Sequence, residues 1–102
     1  MSRLLTTVRV TVPASCRAAY LETITALAAR HEARGNHLWL FELHGTPGTF
    51  LECSEGRGGG HRADGPGDEI EARLEERLAE LGHYEDNAAR WGEVPLVHHP
   101  KE

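Results

Sequence analysis

The stretch His37-Leu-Trp-Leu-Phe-Glu-Leu-His44, then Gly45-Thr-Pro-Gly48, then Thr49-Phe-Leu-Glu-Cys-Ser-Glu55, decides the fold. Two runs rich in aromatic and aliphatic residues flank a turn bearing Gly and Pro, which is the signature of a β-hairpin. Adjacent as well as alternate positions are apolar, so both faces of the hairpin are apolar. A chain of 102 residues has room for few helices, and the second apolar face therefore calls for a partner subunit or a ligand to cover it. A turn at Gly45–Gly48 sets His44 opposite Thr49, Leu43 opposite Phe50, Phe41 opposite Glu52 and Trp39 opposite Ser54. Directly opposed residues share a face. This register predicts one face of Trp39, Phe41, Leu43, Phe50 and Glu52, and another of Leu38, Leu40, Leu51 and Cys53. A one-residue slip would redistribute them.

Working outward, residues Leu4 to Val12 alternate, with Val8, Val10 and Val12 on one side and Thr7, Arg9 and Thr11 on the other. That pattern predicts a strand with one apolar face, stopped by Pro13. Ser15 is placed to cap a helix running to about Ala33. Its core stripe is Leu21, Ile24, Leu27, Ala28 and His31, and Gly35 ends it. After the hairpin comes a glycine-rich segment, Gly56 to Gly67. Asp68 with Glu71 then forms a capping-box-like start to a second helix. Ile70, Leu74, Leu78 and Leu81 make its buried stripe, and Gly82 closes it. Tyr84 to Arg90 would add a helical turn. Val94 to His98 would supply a last strand, which Pro95 confines to an edge or an early strand position.

The order β-α-β-β-α-β over residues 1–102 is that of a single ferredoxin-like α+β domain, with one antiparallel sheet and both helices on one face. Val8, Val10, Leu38, Leu40 and Leu51 are expected beneath the helices, leaving the aromatic face open. Two such sheets packed face to face would bury it, so a homodimer is expected.

Charge and composition narrow the class. The formal net charge of −5 argues against a nucleic-acid partner, which would need clustered Lys and Arg. Most of the acid lies between Asp68 and Glu80, interrupted by Arg73 and Arg77, as on the solvated face of a helix. No run approaches membrane-spanning length, and residues 1–9 lack the apolar core of a signal peptide, so the expected location is cytoplasmic with no membrane partner. Cys16 and Cys53 have no metal-type spacing and are expected to be free thiols. Seven histidines invite a metal. His37 and His44, however, fall on opposite strand faces, and Glu80-x-x-His83 straddles a helix end. Gly58-Gly-Gly-His-Arg-Ala63 fits a dinucleotide pattern, but no helix begins there. Neither a metal nor another cofactor is expected. The Gly-rich loop is open to two readings, a flap over a pocket mouth or a plain connection.

Through strand Leu4–Val12, helix Ser15–Ala33, the Trp-bearing hairpin, helix Asp68–Leu81 and a short last strand, the chain resembles the dimeric α+β barrel superfamily of antibiotic-biosynthesis-monooxygenase-like proteins. The resemblance implies a homodimer with a pocket between the helices and the concave sheet face. It also implies a range of chemistries, from cofactor-free oxidation of aromatic polyketides to haem degradation. Oxygen-using members carry a pocket-facing Asn on the first strand, where this chain offers Thr7, Arg9 and Thr11. Haem-degrading members use a His on the second helix, and His83 falls near that region.

On the hairpin register above, Glu52 is the leading catalytic candidate, a carboxyl group among Trp39, Phe41 and Phe50 that suits general acid or base work. Arg9, on the neighbouring strand, is expected on the same face as its partner. His37 is a second acid–base candidate on that face. Trp39, Phe41, Leu43 and Phe50 form the expected pocket walls, with His83 beside them. These residues predict a small homodimeric cavity protein that binds a small apolar or aromatic molecule. Its reaction, if it has one, is proton abstraction by Glu52, with or without oxygen addition. The alternative is a non-enzymatic dimerisation module, in which the aromatics are interface core and Arg9–Glu52 is an interface ion pair.

Overall fold

Alternation along residues 4–11 makes the first strand, β1 (Leu4–Thr11). A computed structural model of the chain describes residues 3–56 and 65–97. Pro13 has no N–H to continue the ladder, and a 3₁₀ turn at Ala14–Cys16 leads into α1 (Arg17–Ala33). Ser15 lies inside that turn, so the expected cap on α1 is not made: Cys16 holds the cap position without a side-chain hydrogen bond. The buried stripe of α1 is Tyr20, Ile24, Leu27 and His31, at helical spacing. Gly35 then turns the chain with φ of 80°, a conformation glycine adopts without steric cost.

Strands β2 (His37–Glu42) and β3 (Thr49–Glu55) form the hairpin, and α2 spans Glu69–Leu81. The Asp68 carboxylate accepts from Glu71 N at 2.9 Å, as a helix cap should. Glu71 reaches back one residue further than a capping box requires, accepting from Gly67 N at 3.1 Å. Leu78 and Leu81 are buried and Leu74 half-buried. Ile70, expected in the same stripe, is 55% exposed. The inward position in that first turn is taken by Glu71, which is 1% exposed and accepts from Arg34 Nη2 at 2.8 Å. At the other end, Gly82 is required by space: a Cβ there would stand 2.6 Å from Val10 Cγ2.

From Gly82 the chain passes directly into β4 (His83–Tyr84) and, after a short connection, β5 (Ala89–Gly92). Both pair antiparallel with β1, β4 at Val10 and Thr11, and β5 at Leu4 to Thr7. The expected helical turn over Tyr84–Arg90 and the expected strand over Val94–His98 are thus corrected. One edge of β1 is taken by β3, and the polar backbone groups of its other edge need partners, which residues 83–92 reach at once. Val94, Leu96 and Val97 run on in exposed, irregular chain, while His98 and the Gly58–Ala63 motif lie outside the described residues.

The sheet order is β2-β3-β1, with β4 and β5 sharing the outer edge of β1, and every ladder is antiparallel. This is the ferredoxin-like α+β arrangement. Val10, Leu38 and Phe50 from the sheet pack with Tyr20, Ile24 and Leu27 of α1 and with Leu78 and Leu81 of α2. Removing a fully buried leucine such as Leu27 or Leu78 from a core of this kind typically costs about 2–5 kcal/mol.

The hairpin register differs by one residue from expectation. Trp39 faces Cys53, Leu40 faces Glu52 and Phe41 faces Leu51. Leu43 N donates to Thr49 O at 2.8 Å, so the connection is His44–Gly48, one residue longer than Gly45–Gly48. A clamp at the end of the turn explains the extra residue. Gly48 O accepts from Val12 N at 2.7 Å, and Gly48 N donates to Glu42 Oε2 at 2.9 Å. Gly48 has φ of 91°, and a Cβ on it would stand 2.7 Å from Val12 O. The slip turns every β3 side chain to the opposite side. Phe50, Glu52 and Ser54 join Leu38 and Leu40 beneath the helices, while Leu51, at 39% exposure, moves to the open face with Trp39 and Phe41.

Arg17 closes the clamp with a two-pronged pair to Glu42, at 2.6 and 2.9 Å. This pair, with the Gly48 N–H, lowers the Glu42 carboxyl to about 2. A carboxyl whose folded value is depressed contributes stability above its ordinary value near 4.5 and loses it as pH falls through about 2. Urea midpoints measured from pH 5 to pH 2 should therefore fall more steeply for the native chain than for Glu42→Gln. Parallel pH profiles would remove Glu42 from the acid transition.

Candidate functional site

With β3 in its observed register, Glu52 hangs from the middle of the sheet on the helix side, where β1 contributes Thr6 and Val8 and β3 adds Ser54. Helix α2 crosses above with Glu75 and Ala79, one helical turn apart on one face. Tyr84 of β4 and Ala88 close the side of the space. The result is an open cavity of about 360 Å³ between sheet and helix, at the lower end of the range of small-molecule sites.

Glu52 is 1% exposed. Two phenols converge on one of its oxygens: Tyr20 donates to Oε2 at 2.6 Å from α1, and Tyr84 donates to the same atom at 2.5 Å from β4. Both are short O–H···O hydrogen bonds to one carboxyl oxygen. Tyr20 is itself held, buried, with its ring 5.0 Å from that of Phe50. The carboxylate is therefore fixed from both sides, by one tyrosine in the core and one on the cavity wall. Burying a carboxylate costs several kcal/mol unless its oxygens are satisfied, and the phenols supply part of that compensation.

The structure brings few of the expected residues to this place. Glu52 is there. Arg9 is not: it lies on the opposite face of β1, because Val8 is the residue opposite Glu52, and its guanidinium is 3.6 Å from Glu85. His37, Trp39 and Phe41 are also on the open face, the His37 ring 4.3 Å from that of Trp39. Leu43 is 45% exposed at the hairpin tip. Phe50 is core beneath Tyr20, with the Arg17 guanidinium 5.3 Å above its ring. His83 is exposed and paired with Thr11, away from the cavity. On β1 the side chains that face the cavity are Thr6 and Val8, not Thr7, Arg9 and Thr11.

Three participants were missed from sequence. Tyr20 carried a signal, since it stands four residues before Ile24 on the α1 stripe. Glu75 looked like one of many acids on a solvated helix face. Tyr84 was hidden by the helical turn assigned to it.

Cys53 is buried on the open face opposite Trp39. Burial, and secondarily the charge of Glu52, pushes its thiol up, which makes it a resting thiol. Among the described residues there is no group of three or more His, Cys, Asp or Glu that could hold a metal ion. No described helix is long and apolar enough to cross a membrane.

No protein-family model matches the chain, and no curated protein matches it in sequence. Solved structures do match in shape. A protein of unknown function from Bacteroides thetaiotaomicron, noted as a possible oxidoreductase, superposes with a TM-score of 0.75 at 18% identity, over 90% of this chain and 98% of that one. A candidate antibiotic biosynthesis monooxygenase from Deinococcus radiodurans gives 0.72 at 13% identity, over 96% and 99%. Another from Bordetella bronchiseptica gives 0.68 at 12% identity, over 95% and 100%. At these identities the likeness establishes the fold alone, a ferredoxin-like α+β arrangement shared with these proteins.

The tyrosine–glutamate contacts are expected to act as a unit. In urea denaturation, Tyr20→Phe and Glu52→Gln should each cost about 1.5–3 kcal/mol, as hydrogen bonds to charged groups do. The double variant should cost less than the sum by at least about 1 kcal/mol. Strict additivity would show that the phenol does not serve the carboxylate.

Proposed function

We propose that this chain binds a small, largely apolar molecule in the cavity between α2 and the sheet, with Glu52 as the acid–base group. The observation that carries this reading is a carboxylate, almost wholly removed from water, on the wall of an otherwise mostly apolar space. An aliphatic residue at position 52 would serve packing at lower desolvation cost. A carboxylate held there by two phenols suits a base whose orientation must be kept.

The reaction that fits is proton abstraction from an activated carbon acid. The C–H bond breaks, its electron pair stays on carbon, and the proton passes to Glu52. Addition of oxygen to the resulting carbanion would make the protein monooxygenase-like, the chemistry for which two structural neighbours are named. The test is exchange of the acidic C–H for deuterium, followed by NMR over a panel of uncharged cyclic 1,3-diketones and phenolic ketones. Glu52→Gln should slow exchange by about 10²–10⁴-fold, with folding checked by thermal melting. Equal rates in the variant, or no exchange above background with any substrate, would overturn the assignment.

The second part of the proposal is a homodimer through the open sheet face. Phe41, Leu51 and Trp91 are 56%, 39% and 60% exposed there. Trp91 donates to Thr7 Oγ1 at 2.9 Å, which holds its ring against the sheet. A patch of this kind marks an association surface. Light scattering at low micromolar concentration should give twice the chain mass for the native protein and the chain mass for Phe41→Lys. A native monomer would overturn the dimer.

A further inference from the structure

Tyr84 and Glu52 reach each other across β1. Glu52 stands opposite Val8 on the β3 side of that strand, and Tyr84 stands opposite Val10 on the β4 side. Val8 and Val10 point to one face, so the two long side chains are diagonal neighbours over the same strip of sheet. Gly82 permits this: its close approach to Val10 lets the chain leave α2 and enter β4 directly. Glu85 N donates to Arg9 O at 3.0 Å, which pins the far side of Tyr84 to β1. Both side chains line the cavity, and their oxygens are 2.5 Å apart, the phenol donating to Glu52 Oε2. Tyr20 donates to the same atom at 2.6 Å from the core and is not a lining residue. Of the two phenols bonded to Glu52, Tyr84 is the one a ligand can touch.

In a ketone the carbonyl oxygen and the α-carbon are about 2.4 Å apart, as the lengths of the C=O and C–C bonds require. That span matches the 2.5 Å between the Tyr84 and Glu52 oxygens. One ligand can therefore set its α C–H on the carboxylate and its carbonyl oxygen beside the phenol. We propose that Tyr84 is a catalytic residue that stabilises the enolate oxygen formed when Glu52 takes the α-proton, and that the substrates of this site are ketones carrying that proton next to the carbonyl. The proposal rests on the reading of Glu52 as the base, and adds a second group and the functional group it recognises. In the step, the C–H bond breaks, its electron pair forms a C=C bond, and the carbonyl π pair moves onto oxygen. The proton passes to Glu52. Negative charge has then left the carboxyl group for the enolate oxygen, and the Tyr84 hydrogen turns to follow it. An ionised acceptor holds such a hydrogen about twice as strongly as a neutral one. Tyr84 gains and loses no proton, and its oxygen stays available as an acceptor throughout. This stabilisation arises only as the charge moves, so it favours the transition state over the bound ketone.

The test is α-hydrogen exchange into deuterated water, followed by NMR, on whichever cyclic 1,3-diketone or phenolic ketone the native full-length chain exchanges fastest. Tyr84→Phe should lower the maximal rate by about 10²-fold, as loss of one donor to a developing oxyanion does, and leave the half-saturating concentration within about 3-fold. Tyr20→Phe removes a hydrogen bond from the same Glu52 oxygen and should lower the rate by less than about 10-fold. Equal losses in the two variants would show that both phenols only hold Glu52; that result would overturn the role of Tyr84 while leaving Glu52 as the base. A second comparison uses the native chain alone and does not depend on either variant folding. Measured against acetate in solution, the chain should accelerate exchange of the ketone at least about 30-fold more than exchange of benzylmalononitrile, a carbon acid with no carbonyl group. Equal acceleration of the two would overturn the proposal. Absence of exchange above background with every member of the panel would overturn the reading of Glu52 and this inference together.

Discussion

The clamp between Glu42, Arg17 and Gly48 is the constraint on which the rest of the structure depends. It joins the start of α1 to the end of β2 through two guanidinium hydrogen bonds, and draws Gly48 against Val12 at the end of β1. The backbone carbonyl of Val12 leaves no room for a Cβ at position 48. Three elements thereby agree on where the turn stops. Because side chains alternate across a strand, the stopping point decides the direction of every side chain in β3. Phe50 enters the core, and Glu52 follows it to the same side.

The consequence is electrostatic. Glu52 is carried into the helix side of the sheet, where Tyr20 and Tyr84 meet it. These tyrosines come from different elements, α1 and β4, and only the complete sheet brings them within hydrogen-bond distance of one atom. The place of Glu52 in the cavity is thus a product of topology. Arg9, expected beside it, lies on the opposite face of β1 near Glu85.

A second buried carboxylate fixes the frame around the first. Glu71 is drawn between the helices by Arg34, with Arg30 Nε at 3.7 Å and His31 Nε2 at 3.9 Å. Arg30 also binds the Asp68 cap. The end of α1 and the start of α2 are thus tied by charge as well as by the Leu27–Leu78 core. One turn beyond Glu71, the same helix presents Glu75 to the cavity, so the tie sets the position of that group. The burial of Glu71 and the exposure of Ile70 have one cause, the competition of ion pairing with apolar patterning for a single inward position.

Local pattern was enough for the order of elements through α2, the ferredoxin-like class, the lengths of β1 and α2, and the roles of Pro13, Gly35 and Gly82. Each of these follows from alternation, helical spacing or a backbone restriction acting within a few residues. The partition of the hairpin did not follow. A turn of four residues and one of five fit the same Gly-Thr-Pro-Gly string, and the choice was made by Arg17 and Val12, far away in the chain. The final strands were equally hidden, since a strand of two residues such as His83–Tyr84 has no period to detect and exists only because β1 has an open edge. Sequence by itself therefore determined the elements through α2 and the class of fold they build. Tertiary structure decided which side chains meet around Glu52, because register and edge pairing are settled by contacts between segments that no local pattern encodes.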